Sequence, residues 1–94
     1  MKMIGLNNDL ELALEPLGNR LRLIIVKDDK ELACRKEYVK NLQRFLMGDE
    51  EKLFKGRLQL FKFKDEVEII LNKMPIGKIS LSNLKVYLED SGQL

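Results

Sequence analysis

Leu21-Arg-Leu-Ile-Ile-Val-Lys27, a turn, Glu31-Leu-Ala-Cys-Arg35 and then Tyr38-Val-Lys-Asn-Leu-Gln-Arg-Phe-Leu46 make one run of this chain. Val67-Glu-Ile-Ile-Leu-Asn72, a turn, Ile76-Gly-Lys-Ile-Ser80 and then Leu81-Ser-Asn-Leu-Lys-Val-Tyr-Leu88 make another. Each reads as an apolar strand, a short return strand and a short amphipathic helix. Leu21, Leu23 and Ile25 alternate with outward positions at a period of two, as do Val67, Ile69 and Leu71, which is the signature of half-buried strands. Two copies of one layout constrain the fold more than any single motif in the chain.

Upstream of the first run, Leu10, Leu12 and Leu14 alternate with Glu11, Ala13 and Glu15, giving a further strand. Pro16, Gly18 and Asn19 mark the turn between it and Leu21. Asp28-Asp29 has two readings: a hairpin turn into a third strand, or the cap of one helix running from Lys30 to Met47. Val39, Leu42 and Leu46 form a helical stripe. Arg35 would break that stripe if the helix began at Lys30, so the helix is read from about Lys36. Gly48 stops it, and Asp49-Glu50-Glu51 links the halves. In the second half, Phe54 to Phe63 reads as a strand, Asp65-Glu66 turns the chain, and Ser80 or Ser82 caps the last helix. Asp90 to Leu94 reads as a frayed tail.

The expected fold is therefore α+β, with antiparallel sheets and two short amphipathic helices. Residues 1–94 form one domain, with a possible duplicated strand-strand-strand-helix unit over 10–47 and 54–90. Leu42 and Leu46 correspond to Leu84 and Leu88, and Phe45 corresponds to Tyr87.

Composition excludes much. Net charge is +2, with acids and bases mixed along the chain and no basic stripe of the kind duplex binders carry. The 94 residues hold no histidine and one cysteine, Cys34. That removes the usual general base, His-dependent triads and structural zinc. Glycines are too scattered to cradle a phosphate. Acidic pairs such as Asp28/Asp29 fall in solvated turns. Neither enzymatic activity, nor metal, nor cofactor is expected. Cys34 beside Arg35 and Lys36 reads either as a reactive thiol or, more plainly, as a small buried hydrophobe. A single cysteine, no apolar leader and no membrane-length apolar run make a cytoplasmic protein the expectation.

Arg57-Leu-Gln-Leu-Phe-Lys-Phe-Lys64 is the segment with most chemistry. As one regular strand it places Arg57, Gln59, Phe61 and Phe63 on one face, and Leu58, Leu60, Lys62 and Lys64 on the other. Rings on an open sheet face stack on unpaired bases while Arg and Gln reach phosphates or base edges. A bulge near Leu60-Phe61 would instead turn both phenylalanines into the core. Arg20 and Arg22 form the other outward basic set. Glu66 and Glu68, like Glu11 and Glu15, fall at outward positions and oppose phosphate.

Pro75-Ile-Gly-Lys-Ile-Ser-Leu-Ser-Asn-Leu-Lys-Val-Tyr-Leu88 resembles the end of single-stranded-DNA-binding transcriptional coactivators of the positive-cofactor-four type. Their wider group includes the Whirly and Pur-alpha proteins. Members are built from curved antiparallel sheets, each followed by a helix, and tandem copies pair within one chain. The resemblance covers about fourteen residues together with the repeated layout. This chain departs from the group in showing three clear strands per unit where four are usual, and in its diluting glutamates. The resemblance implies a sheet face that binds single-stranded nucleic acid without catalysis, with Lys78 on the motif itself. The expected binding set is Arg20, Arg22, Arg57, Gln59, Phe61, Lys62, Phe63 and Lys78. The alternative is a protein-interaction module, as a homodimer or a subunit of a larger assembly, using a sheet edge or the helix face of Val39, Leu42 and Leu46.

Overall fold

The computed structural model describes residues 2–90; of the tail expected to fray from Asp90 to Leu94, Asp90 ends a helix and residues 91–94 lie outside the described residues. Strands β1 (Lys2–Gly5), β2 (Glu11–Leu17), β3 (Arg20–Lys27) and β4 (Lys30–Tyr38) form an antiparallel meander that leads into helix α1 (Val39–Met47). Strands β5 (Lys52–Leu53), β6 (Leu58–Phe63), β7 (Glu66–Leu71) and β8 (Met74–Ser80) repeat that order and lead into α2 (Leu81–Asp90). The fold is α+β and the unit is duplicated, but each copy holds four strands rather than three.

The added strands are the first of each unit. Lys2–Gly5, ahead of the first strand expected from the sequence, pairs with β2 through Met3↔Ala13 and Ile4↔Leu12. Lys52–Leu53, between the Asp49-Glu50-Glu51 link and the strand expected from Phe54, pairs with Phe61 and Leu60. Residues 30–35 are strand, and β4 continues to Tyr38, which pairs with Arg20. Helix α1 therefore begins at Val39 rather than near Lys36, because sheet pairing holds the backbone extended for three more residues.

Equivalent hairpins turn in equivalent places. Asp28 and Asp29 join β3 to β4, and Asn72 and Lys73 join β7 to β8, all four at positive φ. Two-residue loops with both central residues left-handed match the twist of the strands they connect. The bulges also correspond, at Ile25/Val26 in the first sheet and Ile69/Ile70 in the second.

Both sheets turn one face into a single core. Leu12, Leu14, Leu21, Leu23 and Ile25 come from the first, and Leu58, Leu60, Val67, Ile69 and Ile79 from the second. Helix α1 adds Val39, Leu42, Phe45 and Leu46, and α2 adds Leu84 and Leu88. The helix face Val39/Leu42/Leu46, a candidate docking surface by sequence, is thus spent on the core. Ser80 caps α2, its Oγ accepting from the Asn83 amide at 3.1 Å. No buried polar side-chain atom among the described residues lacks a partner.

The halves are joined at defined points. Leu6 lies against Gly77 of β8 so closely that a Cβ there would sit 2.8 Å from Leu6 Cδ2. Arg35 donates to the Lys55 carbonyl at 3.1 Å, and its guanidinium lies 4.9 Å from the Phe54 ring centroid. No helix of the described residues is long and apolar enough to cross a membrane.

Candidate nucleic-acid interface

Strand β6 pairs with β7 in unbroken register from Leu58↔Leu71 to Phe63↔Glu66. Its alternation is therefore regular, with no bulge near Leu60-Phe61. Leu58 and Leu60 are in the core, so Gln59, Phe61 and Phe63 project from the opposite, outer face. Phe61 is half-buried there, while Phe63 is 69% exposed.

Cross-strand pairing extends the platform. Lys52↔Phe61, Phe61↔Glu68 and Glu68↔Lys78 form one row across all four strands. Gln59, Ile70 and Pro75 form the row on one side of it, and Phe63, Glu66 and Ser80 the row on the other. Lys52 Nζ lies 5.5 Å from the Phe61 ring centroid, and Lys64 Nζ lies 5.4 Å from that of Phe63. Two rings at i and i+2, each with a lysine over it, thus occupy the outer face with Lys78 at its far edge.

Arg57 sits just before β6. Its Nε donates to Asn72 Oδ1 at 3.0 Å and an Nη reaches the Leu32 carbonyl at 3.4 Å, where the first sheet's edge strand meets the second unit. Gly56, Arg57, Gln59, Asn72 and Lys73 line an open depression at that end of the platform. Gln59 Nε2 donates to the Gly56 carbonyl at 3.0 Å, which leaves its side-chain oxygen as an acceptor.

Three members of the expected set stand elsewhere. Lys62 shares the core-side face of β6, and its ammonium donates to the carbonyls of Phe45 and Gly48 at the end of α1. A cation at helix-terminal carbonyls satisfies acceptors that the helix itself leaves open. Lys62 is therefore occupied by the fold and does not join Phe61.

Arg20 and Arg22 belong to the outer face of the first sheet. Arg22 donates to Glu15 at 2.8 Å, to Glu31 at 2.7 Å and to Cys34 Sγ at 3.3 Å. The bond to Cys34, then that to Glu15, raises the guanidinium pKa above its ordinary value. With two carboxylates already on it, Arg22 is neutralised as a phosphate ligand. Arg20 lies 4.9 Å from the Tyr38 ring centroid and donates to its hydroxyl at 3.3 Å.

Lys52 and Lys64 stand on the outer face of the second sheet although neither belongs to the set expected from sequence. Alternation alone would set Lys64 with Lys62, but Lys64 follows the last residue of β6 at positive φ and turns back over Phe63. Lys52 becomes visible only once β5 is known to pair with Phe61.

No protein-family model matches this chain, and neither the curated proteins nor the solved structures hold a match to it.

Proposed function

We propose that the protein binds single-stranded nucleic acid through the outer face of its second sheet, by stacking and phosphate contacts and without catalysing a reaction. The observation that carries this reading is the unbroken register of β6, which sets Phe61 and Phe63 outward among Lys52, Lys64 and Lys78. Successive outward residues of a strand lie roughly 7 Å apart, a spacing at which each ring takes one base of an extended strand. Each exposed lysine–ring contact is worth about 0.5–1 kcal/mol, whereas a base stacked on an aromatic side chain is worth about 1–3 kcal/mol. A base displaces the lysine from the ring, and the freed ammonium turns to the phosphate. Glu66 and Glu68 on the same face keep phosphates off its middle and direct the backbone to the lysine-bearing flanks.

The unit of four strands and a helix, present twice, supports the resemblance to the positive-cofactor-four, Whirly and Pur-alpha group and the function it implies. The absence of a membrane-length helix among the described residues and the single thiol suit a protein of the cytoplasm. A labelled oligonucleotide titrated at several salt concentrations tests the reading. Affinity is expected to fall as salt rises, and failure to bind at low salt would sink it.

A second reading has its own observation. On the outer face of the first sheet, Met3, Ala13, Ile24 and Cys34 form an uncharged row, with Ala13 and Ile24 buried. Leu32 is exposed near it, and Leu17 is exposed on the same face beyond the Glu15–Arg22–Lys36 row. This face suits a protein partner or a second copy of the chain. A sedimentation mass equal to the monomer at high protein concentration argues against the second copy.

A further inference from the structure

The first unit carries a basic concavity that the second-sheet reading does not use. Between the β2–β3 turn and the start of α1 lies an open depression of about 430 Å³, lined by Asn19, Tyr38, Lys40, Asn41, Gln43 and Arg44. Lys40 and Arg44, four residues apart on α1, share one side of the helix. From Val39 to Met47 the helix carries no acidic residue. Glu37, just outside it, is already engaged by the Tyr38 amide and Asn41 Nδ2, each at 2.8 Å.

The depression also has an aromatic lining residue. Tyr38 is 44% exposed, and the Arg20 guanidinium stacked on it holds its ring in place. We infer that this depression is a second binding site, for a nucleoside phosphate: the phosphate on Lys40 and Arg44, the base against Tyr38. Asn19, Asn41 and Gln43 each offer both donor and acceptor groups, which suits the mixed edge of a base. A polyglutamate peptide would use the cations and could bond the amides through its backbone, but it has no base to lay against the ring. None of these residues lies on the second sheet, so the inference stands or falls separately from the platform.

The test is a titration of the isotope-labelled full chain, followed by amide chemical shifts, with adenosine monophosphate, inorganic phosphate and a short polyglutamate peptide. The monophosphate is expected to give saturable shifts at Asn19 and at residues 38–44. The double variant Lys40→Gln/Arg44→Gln is expected to weaken it at least about tenfold, since charge-assisted hydrogen bonds are lost. Phe61→Ala/Phe63→Ala is expected to leave it unchanged. No shift in this region overturns the inference, as does a response to phosphate or polyglutamate as tight as that to the nucleotide. A 5′-phosphorylated oligonucleotide, titrated against Phe61→Ala/Phe63→Ala and followed at residues 38–44, separates the two sources of the ligand: tighter binding than the monophosphate points to a strand, equal binding to a free nucleotide. Oligonucleotide binding weakened in Phe61→Ala/Phe63→Ala but unchanged in the α1 double variant supports the second-sheet reading whatever happens here.

Discussion

The ring of Phe61 and the ammonium of its neighbour Lys62 leave the second sheet in opposite directions. Phe61 lies on the outer face in a row with Lys52, Glu68 and Lys78, while Lys62 reaches past the core to the last carbonyls of α1. Adjacent residues of one strand thus serve different ends: one presents a binding surface, and the other ties the second sheet to the first helix.

Lys62→Met keeps the aliphatic stem and removes both charge-assisted hydrogen bonds to α1. We expect a loss of about 1–2 kcal/mol of stability in urea unfolding, with affinity for oligonucleotide unchanged at temperatures where the variant is folded. Weakened binding by a fully folded variant would place Lys62 in the interface after all.

Phe63→Ala separates surface from core in the opposite sense. With the ring 69% exposed, its stability is expected to stay within about 0.5 kcal/mol of the parent. Loss of one stacked base is expected to cost about 1–3 kcal/mol of binding free energy, measured by fluorescence anisotropy. A stability loss much above that range would assign the ring a packing role.

Gly77→Ala tests the seam between the halves. The new Cβ would meet Leu6 Cδ2 at 2.8 Å and Leu6 Cβ at 3.0 Å. Overpacking of this kind costs about 1–3 kcal/mol. Leu6→Ala costs stability alone, yet combined with Gly77→Ala it is expected to cost less than the sum of the two single variants. Simple additivity would mean that Leu6 and Gly77 are not in contact.

Lys73→Gly is expected to stabilise. Lys73 holds φ +67 in the Asn72–Lys73 hairpin, a conformation costing a side-chain-bearing residue about 1–2 kcal/mol. Glycine removes that strain at an entropic cost of about 0.5–1 kcal/mol. The Asn-Gly pair so formed is the preferred two-residue hairpin loop, and a net gain of roughly 0.5–1 kcal/mol is expected in thermal or urea unfolding.

The parts of the fold legible in the sequence were those written as periodicity. Leu21/Leu23/Ile25 and Val67/Ile69/Leu71 announce their strands, and Leu42/Leu46 and Leu84/Leu88 announce the helices. The first strand of each unit was not legible, because β1 and β5 are short and exist through their partners: Met3 against Ala13, Lys52 against Phe61. The start of α1 was misplaced by three residues for the same reason, since Arg20 holds Tyr38 in the sheet. Within the candidate site, alternation sets Phe61 and Phe63 on the face opposite Lys62, although the binding set expected from sequence still includes Lys62. It did not reveal what Lys62 does instead, because its acceptors lie 14 and 17 residues away on another element. Nor did it reveal that Arg20 and Arg22 lie on a different sheet, with Arg22 held by Glu15 and Glu31.

The central claim is that the outer face of the second sheet binds a single strand by stacking and phosphate contacts together. The most direct measurement is the dissociation constant of a labelled single-stranded oligonucleotide across a series of salt concentrations, for the parent and for Phe61→Ala/Phe63→Ala. Three phosphate contacts, from Lys52, Lys64 and Lys78, predict a log–log slope of magnitude about 2, retained in the double variant while its affinity drops at least about tenfold. A salt-independent affinity, or one that the double alanine variant leaves unchanged, would contradict the account.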